Sequence, residues 1–117
     1  MTAIERVISY LQGELVNVRI SHSVPANRKE LLQLICVSRA GGNVDKFLDE
    51  PRLVIDCYAE SSELAYKLAM TVVGLIDLMP DSDEMVSAIT SMSMYRNEWI
   101  EDGSPCYSIS CSMIINK

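Results

Sequence analysis

Apolar residues recur along this chain in two rhythms, one of helices and one of strands. Ile4, Val7, Ile8 and Leu11 fall three and four apart and make a single stripe, so residues 2–13 are expected as a helix. Thr2 suits its N-cap, Glu5 completes the capping-box spacing, and Gly13 is a natural stop. Val16, Val18 and Ile20 then alternate with Asn17, Arg19 and Ser21, the pattern of a half-buried strand. Residues 22–30 carry turn chemistry. Residues 31–39 are apolar on both faces except at Gln33, as in a central strand covered on both sides. The paired glycines of Ala40–Asn43 are expected to break that strand, and residues 43–50 to form an exposed loop anchored by Phe47 and Leu48.

Pro51 is expected to open the next strand, because proline cannot donate to a ladder from a strand's middle. Leu53, Ile55, Cys57 and Ala59 face one way along it, and Val54, Asp56 and Tyr58 the other. It runs without a loop into a second helix, capped by Ser61 or Ser62, reaching about Leu78 and ended by Pro80. The apolar stripe of this helix is wide, and Tyr66 and Met70 extend it further, leaving Lys67, Thr71 and Asp77 as the solvent side. Such a helix is either deeply buried or partly covered by another chain.

An acidic turn follows. Residues 86–95 then alternate, with Ala88, Thr90, Met92 and Met94 on one side. Residues 98–105 are expected as a loop turning at Asp102–Gly103. The last strand, 106–116, sets Tyr107, Ile109, Cys111, Met113 and Ile115 against Ser108, Ser110 and Ser112, whose face is expected to be wet. The order is α-β-β-β-α-β-β. It predicts one α+β domain over residues 1–117, with a mostly antiparallel, twisted sheet and both helices on one face.

With 117 residues, 49% of them hydrophobic, the chain can bury a core. No run of 18 apolar residues offers a membrane span. The opening segment carries Glu5 and Glu14 and lacks the order of an export signal, so the chain is expected to work where it is made. Cys36, Cys57, Cys106 and Cys111 all fall in expected strands and form no C-x-x-C pair, which fits buried reduced thiols better than a metal site. The net charge of −6 and the scattered cations, with only Arg28 and Lys29 adjacent, argue against tight nucleic-acid binding.

Catalytic equipment is sparse. His22 is the only histidine, and its neighbours Ser21 and Ser23 do not make a triad by adjacency. Ala40–Asn43 lacks the phosphate-cradle pattern, and Asp81, Asp83 and Glu84 do not satisfy a calcium-loop spacing. No catalytic residue, metal or cofactor is expected. Trp99, the only tryptophan, sits in a loop and serves either as an interface anchor or as a cap on the core.

Several features occur in an order that resembles the small tail terminator proteins of long-tailed phages and prophages. They are the paired glycines, the acidic-proline strand start at Asp49-Glu50-Pro51-Arg52, the corner Tyr58-Ala59-Glu60-Ser61 leading into the alanine-containing helix, and Gly103-Ser104-Pro105-Cys106-Tyr107 before the last strand. The family commonly carries arginine where Cys106 stands. The resemblance spans nearly the whole chain. It implies a non-enzymatic structural protein of the virion's tail–neck region, present in the host cytoplasm during assembly. Its partners would be copies of itself in a ring, typically a hexamer, the tail tube protein and the head-completion or connector proteins. DNA would pass through the ring without tight binding, and no membrane would be involved.

On that reading the candidate subunit and tube contacts are Arg39, Asp49, Arg52, Tyr66, Met70, Arg96, Trp99, Glu101 and Asp102. Arg39, Arg52 or Arg96 would pair across a subunit boundary with Asp49, Glu101 or Asp102. Rival readings are a neck connector, a tube subunit, or a small α+β regulatory or ligand-binding domain.

Overall fold

The computed structural model describes every residue from Met1 to Lys117 except Arg28, Lys29 and Glu101. Its elements are α1 (Ala3–Glu14), β1 (Arg19–Ser21), β2 (Gln33–Val44), β3 (Leu48–Ala59), α2 (Ser62–Asp77), α3 (Met79–Ser82), β4 (Val86–Arg96) and β5 (Cys106–Asn116). The strands form one sheet in the order β1-β2-β3-β5-β4. β1 pairs parallel to β2, and every other neighbouring pair is antiparallel.

The helix starts follow the capping logic. Thr2 Oγ1 accepts from the Glu5 N–H at 3.1 Å, and Ser61 Oγ accepts from the Leu64 N–H at 3.2 Å. Each such cap is worth about 1 kcal/mol. Both helices lie on one face of the sheet. Val7 and Leu11 of α1 and Ala65, Val72 and Ile76 of α2 share one buried cluster with Ile35, Ile55 and Ile109 of the strands. Burial of each large side chain there contributes roughly 1.5–3 kcal/mol. Tyr10 ties the helices together, its hydroxyl donating to the Leu75 carbonyl at 2.6 Å.

The opposite face carries a smaller cluster, Leu34, Cys36, Tyr58 and Cys106, against which Leu31 and Ile100 pack from the flanking segments. β2 is therefore covered on both faces over Leu34–Val37, as its two-sided apolar run requires.

The structure departs from these expectations in several places. The first expected strand shrinks to three residues, because Asn17 takes φ 60° and turns the chain, leaving Val16 82% exposed. The glycines do not end β2. The strand continues to Val44 through a register shift between Arg39 and Gly41, and β3 begins at Leu48, so the expected loop is a hairpin whose tip is Asp45–Phe47. Phe47 is 71% exposed there and anchors nothing. Gly42, at φ +102°, faces Pro51, and a Cβ on it would lie 2.0 Å from the Glu50 carbonyl oxygen. Only glycine admits that approach. Pro51 sits inside β3 rather than at its start, where the pairing with β5 lapses between Asp49 and Arg52.

In β4 the alternation slips at Thr90. Register shifts fall between Val86 and Ala88 and between Ile89 and Ser91, so Ile89 joins Met92 and Met94 against the core while Thr90 is exposed. In β5 the serine face is not uniformly wet. Ser108 is fully buried, its hydroxyl donating to Asp56 Oδ1 at 2.5 Å and accepting from Asn97 Nδ2 at 3.0 Å.

Candidate functional site

His22 is exposed, and the neighbouring Ser21 hydroxyl donates to the Ser23 carbonyl at 2.5 Å rather than to an imidazole. Among the described residues no three His, Cys, Asp or Glu side chains gather as a metal site. A cavity of ≈ 640 Å³ opens between α1 and α3, and Arg6, Asp83 and Tyr10 of its lining are engaged with one another or with the backbone. Arg6 pairs with Asp83 at 2.7 Å there, and Tyr10 is spent on Leu75. Burial alone would raise the Asp83 carboxyl. The Arg6 hydrogen bond, the Met85 N–H and the Arg6 charge outweigh it and hold the carboxyl below its ordinary range.

All four cysteines are buried thiols in strands. Burial raises three of them: Cys57 strongly, Cys106 to about 12 and Cys111 to about 11. Such thiols are protonated at neutral pH and behave as small apolar side chains.

The sequence-derived contact residues fall into three groups. Arg39, Asp49 and Arg52 lie at the β2–β3 hairpin. Arg39 Nη2 meets Asp49 Oδ1 at 2.9 Å, and Arg52 donates to the Ala40 carbonyl at 3.2 Å. The expected pairing of Arg39 and Asp49 across a subunit boundary is thus corrected to a pairing within the chain, because the continued hairpin brings the two strands together.

Arg96, Trp99 and Asp102 lie at the other end of the sheet. Asn97 fastens the start of that loop, its N–H donating to the Cys106 carbonyl and its Oδ1 accepting from the Trp99 N–H at 3.0 Å. Trp99 is left 91% exposed, so it does not cap the core; Ile100 does that beside Tyr58 and Cys106. Asp102 Oδ1 accepts from the Ser104 N–H at 3.0 Å and shapes the turn. Glu101 lies outside the described residues.

Tyr66 and Met70 form the third group, on the flank of α2. They are 44% and 46% exposed. Tyr66 stands edge-on to Tyr107 of β5, with ring centroids 5.4 Å apart. β5 is the strand beside the β4 edge. β4 is an edge strand of 11 residues, and from Val86 to Tyr95 it carries no charged side chain. Sequence reasoning found the helix flank but missed the edge, although the uncharged run was visible.

Val44 and Phe47 are exposed on a fold braced by Asp45 Oδ1, which accepts from the Phe47 and Leu48 N–H groups at 2.8 and 2.7 Å. Lys117 closes it by donating its N–H to the Phe47 carbonyl at 2.9 Å.

What the arrangement can do chemically is bind surfaces. It has an apolar lateral flank and two unlike ends, one a braced hairpin and the other a loop bearing an exposed indole. No family model matches this chain, and no curated protein matches it. No helix among the described residues is long and apolar enough to cross a membrane.

Proposed function

We propose that this protein is a ring-forming tail terminator, a non-enzymatic virion component that caps the tail tube and offers a joining surface to the head. The observation that carries the reading is the lateral flank, where Tyr66 and Met70 are exposed on α2 and Tyr66 meets Tyr107 of β5, the strand beside the uncharged β4 edge. Exposed apolar surface beside an open ladder is the chemistry of protein–protein association.

The two unlike ends of the sheet supply a mechanism. Growth of a tube stops when the added ring matches the tube on one side and presents a different face on the other. Val44 and Phe47 lie at one end and Trp99 at the other, so a ring of parallel copies has two different faces. The formal charge of −6 suits a passage through which DNA slides without being held. The location is the tail–neck region of the virion, after assembly in the host cytoplasm.

The open β4 edge also favours a tube subunit as a second reading, since strand edges can propagate. Sedimentation and electron micrographs of the purified chain separate the two. Closed rings of one size support the terminator; open-ended filaments of the chain alone support the tube subunit.

A further inference from the structure

We infer that copies of this chain associate by extending the sheet, the β4 edge of one molecule pairing antiparallel with the open β2 edge of the next. This rests on the ring reading in taking the partner to be another copy, and it adds the surfaces and their polarity.

β4 is hydrogen-bonded to β5 on one side only. Its run from Val86 to Tyr95 carries neither charge nor proline, two of the devices by which soluble monomers blunt long edges, and its two register shifts fall at its start, before Ser91. The far edge of the same sheet is open as well. β1 pairs only with Leu34, Ile35 and Cys36, so β2 beyond Cys36 has a strand neighbour on one side alone. That stretch includes Gly41 and Gly42, which put no side chain in the way.

The polarity is determined by the topology. β4 runs against β5, β5 against β3, and β3 against β2, so β4 and β2 run in opposite directions. Two copies placed side by side in the same orientation therefore present an antiparallel pair, with no need to turn one over. Ser91, Ser112, Arg52 and Gly41 occupy one level across the sheet, which puts the two edges at matching heights. An interface between two different edges of one chain is heterologous: each copy uses both, and the array closes into a ring if the rotation allows. Pairing of β4 with itself would stop at a dimer and leave both β2 edges open.

The helix layer agrees. Tyr66 reaches β5, beside the β4 edge, while at the other flank Leu15, Val16, Val18 and Leu64 line a cavity of ≈ 320 Å³ together with Glu14, Gln33, Lys67 and Thr71. Joining the edges brings the two flanks toward each other, and burying their apolar members adds to the ladder's hydrogen bonds.

The test uses the full chain with cysteines placed at exposed strand positions, since the native thiols are buried. A tagged Ser91→Cys or Ser93→Cys chain is mixed with an Ala40→Cys or Asn43→Cys chain and treated with a short bis-maleimide, and melting curves confirm that each variant folds. Sheet extension predicts a cross-linked heterodimer in at least one combination, more than tenfold above either variant alone, and a ladder of multimers from the corresponding double variant. Cross-linking of the Ser93→Cys chain chiefly to itself overturns the inference. So does the absence of cross-links at all four combinations when light scattering shows oligomers, in which case the ring reading survives with other contacts. A chain that stays monomeric at every concentration overturns self-pairing too, and leaves tube capping to be judged on tubes.

Discussion

Arg39 and Asp49 face each other across the β2–β3 hairpin, guanidinium to carboxylate at 2.9 Å, with a second contact from Nη1 to Oδ2 at 3.1 Å. The pair braces a hairpin that the glycines make possible. Both side chains are partly shielded, at 27% and 17% exposure, so the contact outranks an ordinary surface ion pair. Arg39→Ala or Asp49→Ala is expected to cost about 1–2 kcal/mol in urea unfolding, in the range for hydrogen bonds to charged groups. The double variant should cost less than the sum of the two, because the interaction is lost only once. Purely additive losses would show that the residues do not act as a pair.

Gly42→Ala should be more damaging than either. The added Cβ would meet the Glu50 carbonyl oxygen and the Arg52 nitrogen at distances no real Cβ adopts, on a backbone at φ +102°. A loss of about 3 kcal/mol or more is expected from thermal or urea unfolding, combining left-handed strain with a forced backbone shift. Near-wild-type stability would mean that the ladder around Pro51 is not formed as described.

These two sites also mark where sequence reasoning stopped short. The helices, their caps at Thr2 and Ser61 and the alternation of β5 are local properties, legible from period and residue type. The hairpin was not, because Gly41 and Gly42 read as a break and Pro51 as a strand's first residue, yet with Gly42 opposite Pro51 the ladder continues through both. That opposition is set by register, which depends on both strands at once. Tyr66 and Met70 were visible as excess apolar positions. The open β4 edge depends on β5 inserting between β3 and β4, an ordering that no local pattern encodes.

Ser108→Ala should destabilise out of proportion to its size. The hydroxyl joins Asp56 to Asn97 beneath the loop that carries Trp99, and removing it leaves the carboxylate short of a donor. The expected cost is roughly 1–3 kcal/mol. Tryptophan fluorescence should also report a looser loop; unchanged stability and fluorescence would show that the network does not fasten it.

The Arg6–Asp83 pair gives a pH signature. The folded Asp83 carboxyl lies below its ordinary value of 3.8, so the pair's contribution is fully present above that value and fades as pH falls through the lower folded one. Arg6→Ala should therefore lower stability at neutral pH and flatten the acid limb of the stability curve below about pH 4. A variant that instead loses stability equally at every pH would place the effect in packing rather than in charge.

Met70→Lys addresses the lateral flank without touching the core. Because the side chain is nearly half exposed, monomer stability should change by about 0.5 kcal/mol or less. Self-association measured by light scattering should weaken at least tenfold, or about 1.4 kcal/mol. Association unaffected by the substitution would remove this flank from the interface.

The central claim is that this chain ends the growth of a tail tube, and the length distribution of tubes polymerised from purified tail tube subunits of the same phage, with and without the protein, tests it most directly. The account predicts shorter tubes that stop elongating as the protein is added, each with one ring at a single end. Tubes that grow to the same lengths with no bound ring, or that take up the protein along their whole length, would contradict it.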